Sequence, residues 1–208
     1  MPIAPRSWIP FLTICALAAT ALRAQGEPRT LKISLKTGAP DEAATRTQLE
    51  RLISEHDLGR FLFTRDVAIE QGTIPHSHPV LTLSTRHLRD DDLLLSTFVH
   101  EQIHWFLAAH GKETEAAKRD LRKLYPRVPV GFPAGADDED STYLHLLVNR
   151  LECEADRSVF GELRTWQVFQ FWAQDHYTWI YQQVNASGRD IAQVLRKHGL
   201  TLPPSAGR

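Results

Sequence analysis

The stretch His100-Glu-Gln-Ile-His104 holds two imidazoles and a carboxylate at a spacing suited to metal-assisted hydrolysis. At about 100° per residue, helical positions four apart lie roughly 40° apart, so both rings can face one cation. Glu101 sits one residue step further round. That is a poor place for a third ligand of the same tetrahedron, but it is beside the open position where water binds, which suits a general base. The surroundings are mostly apolar, with Thr97-Phe-Val before the motif and Trp105-Phe106 after it. Two histidines and a glutamate in such surroundings need partners, because an unpaired buried charge is strongly destabilising. A bound cation is one way to meet that need, and a solvated helix face is the plainer alternative.

A third donor has to come from a separate element. In Tyr143-Leu-His-Leu-Leu-Val-Asn-Arg-Leu-Glu-Cys-Glu-Ala-Asp156, the polar residues His145, Asn149, Glu152 and Asp156 fall within an arc of about 60° on a helix, among the apolar Leu146, Leu147, Val148 and Leu151. Glu152 is assigned as the third metal ligand, with Glu154 or Asp156 as substitutes. Asp156, one turn on, is assigned as the acceptor for the free ring N–H of a ligand histidine, since such partners fix the ring and raise its basicity. His145 either lines the cleft as an orienting group or is simply a satisfied histidine nearby.

The first string resembles the zinc motif of the zincin peptidases. Glu152-Cys-Glu-Ala-Asp-Arg157 is similar to the second motif of the family of CAAX prenyl endopeptidases and periplasmic barrel-assembly proteases. The resemblance covers about 60 residues and implies one zinc ion, a glutamate ligand at Glu152 and a bracing aspartate at Asp156. Ile103 stands where that family usually has Gly, and outside the two motifs nothing is similar. The implied function is that of an exported zinc metallopeptidase acting on a peptide or protein.

In that mechanism zinc acidifies a water, Glu101 takes its proton, and the same carboxyl later protonates the departing amine. The oxyanion needs a further donor, and Tyr177 is the candidate, with Tyr181 and His176 as alternatives. An aromatic helix packed through Trp166, Phe169, Phe171, Trp172 and Trp179 is the competing reading of that region. His76 and His78 read as loop residues, and the acids Asp137 to Asp140 as charge that complements a helix dipole, with no calcium site expected. Two non-peptidase readings compete: a secreted domain in which zinc is structural and His145 supplies a fourth donor, and a binding or chaperone-like protein on a degenerate peptidase frame.

These residues must be positioned by an α+β domain. Leu31 to Lys36, Arg60 to Glu70 and Val80 to Thr85 read as strands of a small, mostly antiparallel sheet, and Asp41 to His56 as a first helix. Helices are expected over 90–109, 113–124, 141–160, 162–185 and 189–198, giving a zincin-like helical C-terminal half. A substrate peptide is expected to pair along the edge strand Val80 to Thr85. The first 24 residues have the form of a secretory signal, with Arg6, an apolar run from Trp8 to Leu22, and small residues at Ala19, Ala21 and Ala24. Residues 25–208 are then one exported domain, periplasmic or secreted, with no stable membrane insertion after the signal is removed. Cys15 would leave with the signal, so Cys153 could form no internal disulfide. A hydrophobic content of 42% suits a folded core, and a formal charge of −1 gives no support to a nucleic-acid partner.

Overall fold

The computed structural model describes residue 1 and residues 30–204. The expected signal, apart from its first residue, lies outside them. Three strands, β1 (Lys32–Leu35), β2 (Asp66–Ile69) and β3 (Leu81–Leu83), form a sheet in the order β1-β2-β3. Five helices accompany it: α1 (Pro40–Glu55), α2 (Asp91–Ala109), α3 (Gly111–Leu124), α4 (Glu139–Asp175) and α5 (Thr178–Lys197). The protein is therefore α+β, with the sheet confined to the N-terminal part. No helix among the described residues is long and apolar enough to cross a membrane.

Both strand pairs are parallel, which corrects the expected antiparallel sheet. Parallel neighbours require a crossover, and here α1 provides one while residues 70–80 provide the other. The Gly- and Pro-rich run from Gln71 to Pro79 suggests a hairpin, but it returns only at one point. His76 forms an isolated antiparallel bridge with Thr82, donating to and accepting from its backbone at 3.0 and 2.8 Å. The edge of β3 is thus covered at its centre by the chain's own loop. This also corrects the expectation that a substrate pairs along Val80 to Thr85.

Helix α2 carries the first motif and is buried nearly all round, from Leu93 to Leu107. Its start is fixed by Asp90, whose carboxylate accepts from Leu93 N at 3.1 Å, and by Asp91 and Asp92 in the first turn. Gln102, fully buried within the motif, ties the helix to the chain before β2. Its Oε1 accepts from Phe63 N and Thr64 N at 2.8 and 2.9 Å, and its Nε2 donates to Thr64 O at 2.9 Å. Three backbone groups are satisfied by one side chain, and this fixes the height of the motif relative to the sheet.

Helix α4 packs against α2 and α5, and its start is capped by Asp138, which accepts from Ser141 N at 2.6 Å. Asp140 pairs with Lys118 and Arg122, each at 2.6 Å, so this acidic run caps a helix and anchors α3. Gly161, at φ 81°, interrupts α4, matching the expected break between 160 and 162. The helix expected over 162–185 ends instead at Asp175, and Tyr177 adopts the left-handed region at φ 49° and ψ 35°. No glycine or proline announces this break. It is held from outside, by the carbonyls of Pro133 and Ala134, which accept from Thr178 N at 2.8 Å and Trp179 N at 3.2 Å.

One buried carboxylate joins the first crossover to the sheet. Glu42 accepts from the backbone N–H groups of Thr37 and Gly38, both at 2.9 Å, and of Gln71 at 3.1 Å. Burial alone raises its pKa, but these donors outweigh that and hold it below the usual 4.5. A depressed folded-state pKa contributes stability that is present above the unfolded value and lost as pH falls through the folded one. Glu42→Gln is therefore expected to lower the thermal midpoint at pH 7, with the gap to the parent closing as pH falls below about 4. Thermal unfolding followed by circular dichroism from pH 3 to 8 checks this, and a gap independent of pH contradicts it.

Candidate metal centre

The convergence of α2 and α4 brings three imidazoles together. One ring nitrogen from each of His100, His104 and His145 lies within 4.8 Å of the other two. His100 Nε2 and His104 Nε2 are 3.3 Å apart. Two nitrogens held about 2.0–2.1 Å from a common tetrahedral zinc stand roughly 3.3–3.4 Å apart, so this separation fits a shared ion. His145 points its Nδ1 at the carbonyl of Ser141, 2.7 Å away. A carbonyl can only accept, so Nδ1 carries the proton and Nε2 keeps a free lone pair. The ring is thus preset as a ligand through Nε2.

His100 is anchored from behind by Glu152. The Glu152 Oε2 stands 2.9 Å from His100 Nδ1, while Oε1 accepts from Ser96 Oγ at 2.7 Å. Tyr181 Oη donates to the same carboxylate at 3.2 to 3.3 Å, and Trp172 Nε1 donates to Ser96 Oγ at 3.2 Å. Both oxygens of Glu152 are engaged, and the residue is fully buried. The carboxylate assigned from sequence as the third ligand therefore braces His100, the part that sequence reasoning gave to Asp156, and His145 is the third member of the converging group.

Asp156 lies one turn below, fully buried, and burial together with the Glu152 charge pushes its pKa well above the usual range. A proton on Asp156 relieves the stacking of two charges. Glu154, the other candidate donor, turns away and pairs with Arg150 at 2.8 Å.

Electrostatics favour the neutral form of two of the three rings. Burial drives His104 well below its ordinary pKa, aided by His145 and His100, and takes His145 down to about 3. His100 differs: burial pulls its pKa down, but Glu152 more than compensates, leaving it raised. Glu101 lies next to the cluster, 6% exposed, and burial raises its carboxyl to about 7 against the opposing pull of His100 and His76. Positive charge placed beside it would favour its ionised form.

The cluster opens into a pocket of about 290 Å³, lined also by Ile74 to Ser77 and by Trp172, His176, Tyr177 and Tyr181. The ring of Tyr177 lies 4.3 Å from that of His145, and burial, with Glu101 nearby, raises its phenol to about 12. It stays protonated at neutral pH and can donate. Tyr181 is spent on Glu152, so the two tyrosines named from sequence have different partners. His76 lines the pocket, while His78 stacks on Trp105 at 4.3 Å. Arg86 and His87, not singled out in the sequence, line it too. Their position depends on the turn after β3, for which spacing gives no signal.

The tautomer of His145 is directly measurable. In metal-free protein, long-range nitrogen–proton NMR correlations should show a neutral Nδ1–H ring from pH 5 to 8, since its pKa lies near 3. An Nε2–H tautomer, or titration near pH 6.5, contradicts the geometry. No family model matches the chain, and no curated protein or solved structure matches it either, so the reading of this centre rests on its geometry and chemistry.

Proposed function

We propose that the protein is a zinc-dependent hydrolase of the zincin type that cleaves peptide bonds, with His100, His104 and His145 as the protein ligands. The observation that carries this reading is the meeting of three imidazole nitrogens within 4.8 Å of one another, with Glu101 beside them at the wall of a pocket. Zinc so held supplies Lewis acidity toward a carbonyl and makes water a better nucleophile. Glu101 accepts the proton that water loses and returns it to the leaving amine, so one carboxyl serves as base and then acid. Tyr177 donates its phenolic hydrogen to the carbonyl oxygen as negative charge gathers there. Glu152 holds the His100 ring in place and increases its basicity, without touching substrate.

The donor count favours a working centre over a structural one. Structural zinc sites take four protein ligands, whereas catalytic ones take three and leave a position for water or substrate. Among the described residues the converging group has three members, and Glu152 is held behind His100 by other bonds. Secretion through the N-terminal signal and action on a peptide belong to the same proposal. So does zinc itself, which the all-imidazole donor set suits.

Metal content and turnover of three variants test it. His145→Ala should fall from about one zinc per chain to well below half in dialysed protein. Glu152→Gln should keep zinc at saturation but bind it about 10–100-fold more weakly. Glu101→Gln should keep zinc and fold while losing at least about a hundredfold in hydrolysis of a peptide mixture. Full zinc retention by His145→Ala, together with zinc loss equal to that of a ligand deletion in Glu152→Gln, contradicts the ligand assignment. Unchanged hydrolysis in Glu101→Gln contradicts the catalytic one.

A further inference from the structure

One end of the pocket carries groups that the hydrolytic scheme leaves unused. Arg86, in the segment after β3, reaches Asp175 at the end of α4, with Nη1 to Oδ2 at 2.9 Å and Nη2 to Oδ1 at 2.5 Å. The same carboxylate takes His176 Nδ1 at 2.8 Å. The ion pair ties the segment after β3 to the end of α4, with Arg86 and His176 both on the pocket lining and the Arg86 side chain 53% exposed. A guanidinium has five N–H donors, and Asp175 takes two, so donors remain for a second carboxylate in a fixed orientation. Asp175 is held near pKa 2 by Arg86 first and His176 next, so the pair persists through the physiological range.

The edge beside β3 offers little to a long peptide. Thr82 has both backbone groups bonded to His76, Pro75 has no N–H, and the carbonyl of Ser77 accepts from Trp105 Nε1 at 2.8 Å. Strand addition needs a run of free N–H and C=O groups, and this edge does not supply one. Recognition then falls on the ends of a substrate more than on its middle.

We infer that the substrates are short peptides with a free C-terminal carboxylate, which Arg86 binds on the pocket lining while the scissile bond lies over the three histidines. This rests on the hydrolase reading for the identity of the reacting bond, but the carboxylate site stands on Arg86, its place on the pocket lining and its unused N–H donors. Asp175 is a positioning residue, holding Arg86 and His176 side by side.

The test compares N-acetyl-dileucine with its C-terminal amide, by calorimetry, on Glu101→Gln protein in zinc-loaded and metal-free forms. The acid should bind at least about tenfold more tightly than the amide in both forms, the scale of one charge-assisted hydrogen-bonded pair. Arg86→Ala should shrink that preference below about threefold with zinc content unchanged. Arg86→Lys, which keeps the charge and loses the fork, should fall between. Equal binding of acid and amide overturns the proposal, as does a preference that survives Arg86→Ala, since the carboxylate would then be held elsewhere. Failure of the hydrolase reading shows separately, as absent zinc uptake by the parent protein. In that case the metal-free comparison still decides the carboxylate site.

Discussion

The bond between His100 Nδ1 and Glu152 Oε2 is the constraint on which the centre depends, because it joins the two helices that supply the imidazoles. A carboxylate buried without partners would be costly, so its surroundings must supply donors. Two more reach it besides His100: Ser96 on α2, itself bonded to Trp172 near the end of α4, and Tyr181 on α5. Each donor fixes one neighbouring element against the others. The crossing of α2 and α4 is thereby set to the height at which His145 meets His100 and His104. Further down the same stripe, the raised pKa of Asp156 lets the buried acids carry one charge between them.

The same constraint explains what could be seen in the sequence and what could not. The motif helix and the polar stripe on α4 were both legible, since helical angle follows from spacing alone. Depth along the stripe was not. His145 and Glu152 are seven residues apart, two turns or about 10 Å along the axis, on nearly the same face. Which of them faces the imidazole pair depends on where the two helices cross, and that is set by tertiary packing and by the bonds of Glu152 to Ser96, His100 and Tyr181. Resemblance to a family with a glutamate ligand pointed to Glu152. In this chain that residue's hydrogen bonds place it behind the ring.

The misread elements share a cause. The sheet direction depends on how residues 70–80 travel, and a Gly- and Pro-rich run suits a hairpin turn as well as a crossover. The break at Tyr177 is imposed by two carbonyls of the loop before α4, more than forty residues away in sequence. That left-handed turn carries the Tyr177 ring to His145 and leaves His176 bonded to Asp175. Local propensity favours a continuous helix, and tertiary hydrogen bonds override it. Strain of this kind at a non-glycine residue recurs where a side chain must be aimed, as at the wall of this pocket.

The claim that three imidazoles form the protein part of the ligand set, with Glu152 behind His100, is tested most directly by X-ray absorption at the zinc edge on the zinc-loaded protein and its Glu152→Gln form. The account predicts three imidazole nitrogens at about 2.0–2.1 Å and one further light atom in both, because the carboxylate is not bonded to the metal. A shell with two imidazoles and a carboxylate oxygen that disappears in Glu152→Gln, or a closed shell of four protein donors, would contradict it.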